Sequence, residues 1–298
     1  MSLETSAGKA TVGLLCEAFK ISRAAYYAAL KKRTQPQEAA PARVVRLPRK
    51  PRYASAEHVL AAIRKVIEAE PAYGVRKVWA VLQRQGLRVS RKRVWALMRE
   101  HGLVLARDRE PGEMRRGHVI APEPNRRIAT DLTTVFTKRD GVVAIVPTID
   151  CGCRSLLALD VTRRQDAPAV LASVTKALRG TFGHPDAVPD GLELRTDHGP
   201  QYTGADCREL AEEWRLDHTF APVGRPTGNA VVERLIRTMK EEVVWLRDWN
   251  TAAELREALL AWKARYNTER PHQALGWLTP AEYRAQRLGT ATAALAAA

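Results

Sequence analysis

The chain has 298 residues, with 48 Lys plus Arg against 33 Asp plus Glu, a net charge of +15 and a pI near 10.0. Its 45% hydrophobic and 27% charged content is that of a globular protein, which excludes a disordered, collagenous or disulfide-scaffold chain, and its length suggests about two domains. No apolar run approaches the ~20 residues that span a bilayer, no basic segment leads into an apolar core at the N-terminus, and Cys16, Cys151, Cys153 and Cys207 lack CxxC spacing, so neither a membrane span, a secretory signal, a zinc ribbon nor a disulfide framework is expected.

The charge is unevenly placed. Residues 1–121 hold 25 Lys plus Arg and 10 Asp plus Glu, whereas residues 122–298 hold 23 of each. A basic segment joined to a neutral one points to an electrostatic anchor for a polyanion, with chemistry elsewhere. A plain solvated surface would carry the same charge.

Residues 11–32 read as a helical pair, with Ser22 as a cap for the second member. Residues 34–52, with four prolines and mostly basic charges, read as a linker. Apolar residues at helical spacing resume at 57–69 (Val59, Leu60, Ile63, Val66), at 75–85 (Val78, Trp79, Val81, Leu82) and at 91–101 (Val94, Leu97, Met98), with Gly86 closing the second helix and Ser90 capping the third. The third helix begins with Arg91, Lys92 and Arg93. A helix-turn-helix whose second helix enters a DNA groove has this form, and so does a plain three-helix bundle.

The periodicity changes after Arg126. Runs at 128–136, 142–150 and 155–161, separated by turn-like Lys138–Gly141 and Cys151–Arg154, read as a three-stranded antiparallel meander. A helix at 167–178, a strand at 192–196, a helix at 205–214, a strand at 216–220 and a long helix at 229–246 follow. The order β-β-β-α-β-α-β-α implies a mixed five-stranded sheet with flanking helices. The last part, from Ala252, reads as a helix, then loop, then a frayed Ala-rich end.

In that order the first strand is central and the fourth pairs beside it, so Asp131 and Asp197 can point into one crevice. Glu233 on the long helix can supply a third oxygen donor. Hard anionic ligands without His or Cys suit Mg²⁺, and two such ions can serve phosphodiester displacement. Each carboxylate alone would pass for a surface or capping residue.

The strings TDHGPQYTG (residues 196–204), TGNAVVERLIRTMKEE (227–242) and YNTERPHQALGWLTPAEY (266–283) together resemble insertion-sequence transposases with a retroviral-integrase-like core, in particular the catalytic second-frame subunit of the third insertion-sequence family. The 35 residues between Asp197 and Glu233 match that family's interval; ATDLT (129–133), TIDCGCR (148–154) and ISRAAYY (21–27) resemble its first strand, second strand and N-terminal motif. The tryptophan often found before the first Asp is absent, Ile128 and Ala129 standing there instead.

The resemblance implies an RNase H-like α/β core preceded by all-α helix-turn-helix modules. It implies Asp131, Asp197 and Glu233 as catalytic ligands of two Mg²⁺, with Mn²⁺ as substitute. Phosphate contacts are expected from Arg91, Lys92, Arg93, Gln201, Arg237 and Lys240. Asn229 is expected to cap its helix or touch DNA, His198 to support the site indirectly, Asp150 and Asp160 to serve turns, and His272 to order the C-terminal loop. The expected division is an N-terminal helical segment (1–33), a linker (34–53), a DNA-binding domain (54–121), a catalytic core (122–250) and a C-terminal extension (251–298). Expected partners are double-stranded DNA (terminal inverted repeats and target), further copies of the chain and an upstream-frame helix-turn-helix protein, in the bacterial cytoplasm. A non-catalytic DNA-binding relative and a nuclease of RNA–DNA hybrids are the alternatives.

Overall fold

The computed structural model describes residues 2–5, 8–34, 54–105, 123–222 and 229–296. The expected linker at 35–53 and the end of the expected DNA-binding domain at 106–121 lie outside them. Two compact units divide the chain, residues 1–51 and 52–298.

The first unit opens with strands β1 (Ser2–Thr5) and β2 (Gly8–Thr11), paired antiparallel from Ser2↔Thr11 to Thr5↔Gly8. This hairpin corrects the expectation of an all-helical start: a four-residue strand shows too little periodicity to be read, and its partner is needed to satisfy its backbone. Thr11 then accepts a hydrogen bond from the Leu14 N–H and caps α1 (Val12–Ala18); α2 (Arg23–Thr34) follows, with the Ser22 hydroxyl accepting from the Ala25 N–H.

In the second unit, α3 (Ala56–Ala69), α4 (Val75–Arg84) and α5 (Arg91–Glu100) enclose a small core of Val59, Ile63, Val78, Leu82, Val94 and Met98. Ser55 and Ser90 cap α3 and α5. The link from α4 to α5 is held by Trp79, whose indole N–H donates to the Val89 carbonyl at 3.0 Å, and by Gln83, which donates to the same carbonyl at 2.9 Å. Gly86, at φ +81°, makes the left-handed turn that closes α4.

The sheet that follows is built from β3 (Arg127–Thr130), β4 (Thr133–Thr137), β5 (Gly141–Asp150) and β6 (Leu156–Thr162), then β7 (Glu193–Thr196) and β8 (Asp217–Phe220). One edge of β5 carries both β3 and β4, its other edge carries β6, and all these pairs are antiparallel. β7 pairs parallel with β3, and β8 parallel with β7. The spatial order is therefore β6, β5, the β3/β4 line, β7, β8. The five expected strands are present as six segments, because the first is interrupted at Asp131–Leu132.

Strand alternation sorts the side chains into two cores. Ala129, Ile145 and Val161 pack with α9 (Ala230–Glu242) and α10 (Ala252–Thr268), whereas Ile128, Val146 and Leu194 pack with α6 (Ala167–Phe182) and α8 (Ala205–Glu213). The sheet is the middle of three layers. Between β7 and α8 lies a single helical turn, α7 (Pro200–Thr203), which was not expected.

Two helix ends differ from the sequence reading. α9 stops at Glu242, and Val244–Leu246 form a separate 3-10 turn, because the β-branched pair Val243–Val244 leaves helical geometry. α11 runs from Pro280 to Ala296, so the Ala-rich end is helical, as the high helix propensity of alanine favours.

A buried carboxylate joins α9, α10 and the three-helix domain. The Glu242 side chain, 2% exposed, accepts from Arg270 Nε and Nη2 at 3.1 Å, from Lys77 Nζ on α4 at 2.5 Å and from the Trp262 indole on α10 at 3.1 Å. Further ties are a two-bond fork from Arg84 to Glu282 on α11, at 2.6 and 2.8 Å, and a pair between Glu70 and Arg265 at 3.3 Å. The exposed fork contributes little, whereas a buried pair is strongly coupled to its partners.

Burial would raise the Glu242 carboxyl, but Arg270 and then Lys77 outweigh it and hold the group below its ordinary 4.5. Its contribution to stability is thus present above the ordinary glutamate range and lost as pH falls through the lowered value. Replacing it strands the buried Arg270 and the half-buried Lys77. Glu242→Gln should cost about 3 to 5 kcal/mol of unfolding free energy at pH 7, measured by urea titration. A cost under ~1 kcal/mol would mean that water, not Glu242, satisfies Arg270.

Candidate active site

The parallel register of β3 and β7 pairs Ala129 with Arg195. Two residues further along each strand lie Asp131 and Asp197, so the two carboxylates stand at neighbouring C-terminal strand ends. This is where open α/β sheets place ligands. The strand interruption is local to the site: the Asp131 carboxylate accepts the Leu132 N–H at 2.7 Å, which a continuous strand would use for pairing.

Asp197 begins a tight turn in which its Oδ1 accepts the Gly199 N–H at 3.0 Å. A Cβ at Gly199 would come within 3.0 Å of that same oxygen and 2.9 Å of Gln201 Oε1, so a larger residue there would displace the Gln201 amide and crowd Asp197.

α9 delivers Glu233 from its first turn. Asn229, just before the helix, makes no side-chain cap; it is buried and donates from Nδ2 to the Thr130 carbonyl at 3.3 Å. The expected capping is therefore replaced by a cross-tie. It fixes the start of α9 to the residue that precedes Asp131.

Asp131 and Glu233 line one cleft of about 470 Å³ with Leu132, Thr133, Ile236, Arg237, Lys240 and Trp245. Asp197 lies outside that lining, yet close enough for its charge to act on Asp131. Asp131 is pushed up to about 6, first by burial and further by the Asp197 and Glu233 carboxylates, while the Leu132 N–H and Lys240 oppose the shift. Among the described residues no three His, Cys, Asp or Glu side chains are drawn together closely enough to cage an ion. The three carboxylates form an open site. All three are oxygen donors, the set that suits a hard divalent cation and not zinc or copper.

On α9, Arg237 is exposed and pairs with Glu241 at 2.8 Å, and Lys240 is half-buried on the cleft wall. Gln201 donates to the Gln165 carbonyl at 3.1 Å, so its amide is already engaged, and Tyr202 packs into the core beneath the loop at 2% exposure. His198 stacks on Phe220 with ring centres 4.9 Å apart. Arg91 and Lys92 are exposed and Arg93 half-buried in the first turn of α5, which holds no acidic residue. Cations at the positive end of a helix dipole are unfavourable unless an anion joins them.

Asp150 does more than end a strand. It is fully buried, accepts the N–H groups of Asn125 and Gly152 at 2.8 Å, and pairs with Arg284 of α11 at 3.1 Å. Cys151 and Cys153 are buried beside it, Asp160 pairs with Lys176, and the His272 backbone bonds to Leu278 and Trp277 to close the C-terminal loop. Sequence reasoning missed Trp245, absorbed into the apolar end of an over-long helix, and Lys77, whose partner lies 165 residues away.

Residues 121–226 and 214–280 match models of the integrase core domain, and residues 54–111 match a model of an HTH-like domain. Transposase InsD of the insertion element IS2 from Escherichia coli is 29% identical over 252 residues, covering 80% of this chain and 82% of the relative. The chain belongs to the insertion-sequence transposases with an integrase core. It is a polynucleotidyl transferase, and its HTH-like domain makes it a DNA-binding one. Among solved structures, the simian T-cell lymphotropic virus intasome aligns at TM-score 0.47 and 16% identity over 74% of each chain. The HTLV-2 integrase catalytic core in complex with magnesium aligns at TM-score 0.38 and 15% identity, over 54% of this chain and 97% of that one. No helix among the described residues is long and apolar enough to cross a membrane.

The raised Asp131 gives the fold a pH signature. Its stability is full below the ordinary value of 3.8 and falls as pH rises through about 6, where the buried carboxyl ionises beside two others. In metal-free buffer Asp131→Asn should raise the melting temperature by about 3 to 6 °C at pH 8, with little change at pH 4. Equal melting curves at pH 8 would show that the carboxylates do not repel in the apo site.

Proposed function

We propose that this transposase cleaves and joins DNA at the ends of its element through Asp131, Asp197 and Glu233 acting as ligands of two Mg²⁺, with Mn²⁺ as substitute. The observation that carries the reading is that Asp131 and Glu233 share a cleft with Arg237 and Lys240 while Asp197 ends the neighbouring strand, near enough for its charge to act on Asp131. When bound, such ions activate an attacking oxygen and stabilise a leaving one in phosphodiester displacement. The chain supplies the rest. Asp131 and Asp197 stand at the ends of neighbouring parallel strands, and Asn229 ties the start of the helix that carries Glu233 to the Thr130 carbonyl beside Asp131. Lys240, half-buried and seven residues after Glu233, stands where a phosphate oxygen would lie, with Arg237 at the rim. Gln201 ties the Asp197 loop to the Gln165 carbonyl, and in this reading its free amide oxygen side meets the same strand.

In this reading the α5 cations Arg91, Lys92 and Arg93 grip the terminal inverted repeats, and residues 1–33, 54–121, 122–250 and 251–298 form the working divisions around the linker at 34–53. Target DNA, further copies of the chain and an upstream-frame helix-turn-helix protein are its partners in the bacterial cytoplasm.

Asp131→Asn, Asp197→Asn and Glu233→Gln should each lower cleavage and joining of the element's own ends by roughly a thousandfold or more, with duplex DNA affinity nearly unchanged. Near wild-type joining by any one of them in Mg²⁺ would remove that residue from the metal site. The non-catalytic alternative predicts no joining by the wild type, and the hybrid-nuclease alternative predicts preference for RNA–DNA duplexes.

A salt titration addresses the anchor. Replacing Arg91, Lys92 and Arg93 together by Ala should flatten the slope of log K against log salt by about 3 units, near 0.9 for each phosphate left unneutralised. Lost discrimination between element ends and random DNA at unchanged slope would mean that they read bases. No change in either would leave α5 as a bundle helix.

A further inference from the structure

We propose that Trp245 is a stacking platform for an unpaired nucleobase of the DNA end held in the catalytic cleft. The proposal rests on the reading of that cleft as the site of phosphodiester chemistry and adds a base-binding site to it.

Trp245 is 65% exposed, more than any of the other six tryptophans. Trp214, Trp249 and Trp262 are buried, Trp79 and Trp277 meet edge to face at 5.9 Å, and Trp95 lies under the Arg99 guanidinium at 5.3 Å. Trp245 has no such neighbour ring or cation, and its indole N–H has no partner among the described residues. A large apolar ring left in water opposes folding, and this one stands on the wall of the cleft that holds Asp131, Glu233, Arg237 and Lys240.

The backbone that carries the ring is fixed. It sits in the 3-10 turn Val244–Leu246, whose Val244 side chain is buried. The Val244 carbonyl accepts the Trp249 indole N–H at 3.0 Å, and the Arg247 guanidinium covers the Trp249 ring at 4.3 Å, so the turn is clamped from below. A preorganised aromatic face beside two phosphate-binding cations has the parts of a nucleotide subsite: cations for the backbone and a flat ring for the base.

The chemistry selects an unpaired base. Within a duplex both faces of a base are covered by its neighbours, so a ring can stack on it only after it leaves the helix. The cleft of about 470 Å³ is open to solvent along its length, so a strand can lie in it with one base against the ring. Opening the terminal base pairs would expose the strand to the carboxylates, and Trp245 would hold the released base.

The test uses the full chain and a duplex of the element's end, with 2-aminopurine in the last two positions of the strand to be cut. On binding in metal-free buffer the wild type should keep the 2-aminopurine quenched, Trp245→Phe should keep it partly so, and Trp245→Ala should let the released base brighten, at equal DNA occupancy and melting temperature. Cleavage in Mg²⁺ should fall roughly 10- to 100-fold in Trp245→Ala and recover when the terminal two base pairs are replaced by mismatches. Undiminished quenching by Trp245→Ala, or a cleavage loss that mismatches do not relieve, would overturn the proposal. So would a change in sedimentation of Trp245→Ala without a change in quenching, which would make the ring a contact between copies. Quenching needs no turnover: if it persists while the carboxylate variants still join DNA, the metal-site reading fails and the base platform stands.

Discussion

The position of α9 depends on hydrogen bonds to buried groups at its two ends. At the start, Asn229 donates to the carbonyl of Thr130, one residue before Asp131. At the end, Glu242 receives Arg270, Lys77 and Trp262 in a nearly dry setting. An apolar contact there would bury area equally well, but it would tolerate sliding, since hydrophobic attraction has no direction. Three donors converging on one carboxylate do not tolerate it. The register of α9 is thereby set to within a hydrogen bond, and with it the height of Glu233 above the strand ends.

The desolvation of Glu242 is what makes that bracket stiff. A carboxylate taken from water is stabilised only if its oxygens are filled, and each partner is then removed only at high cost. Lys77, itself pushed down by burial and by the nearby Arg270, belongs to the three-helix domain, so that domain is part of the bracket. His272, driven to about 2 by burial and by Arg270, stays neutral and adds no third cation to the cluster. The DNA-binding helices and the helix carrying Glu233 thus share one buried charge.

Much of this was legible in the sequence, and the residues show why. The apolar and β-branched runs at 142–150 and 155–161 mark strands packed on both faces, and Ser22 and Ser90 mark helix starts, because residue pattern and capping are local properties. The interruption after Thr130 was not legible. Leu132 and Thr133 have strand character, and only the Asp131 carboxylate taking the Leu132 N–H reveals the break. The end of α9 was hidden because Val243, Val244, Trp245 and Leu246 continue an apolar run, whatever the backbone does. The Glu242 cluster joins residues 28 and 165 positions apart, a pairing that no local pattern encodes.

The same contrast bears on how binding and chemistry divide within residues 52–298. α5 carries three cations in its first turn against its own dipole, and the cleft carries Asp131 and Glu233 with Asp197 beside it, Asp131 being raised first by burial and further by the other two. Both arrangements oppose folding in the free protein, and both are relieved by a charge of opposite sign: an anion at α5, a cation in the cleft. In the proposed reaction a DNA backbone with its associated metal ions supplies both. The fold holds these unfavourable clusters because its stability lies elsewhere, in the two apolar layers around the sheet and in the Glu242 bracket between them and the helical domain. The sites that the substrate completes are those that the fold leaves incomplete.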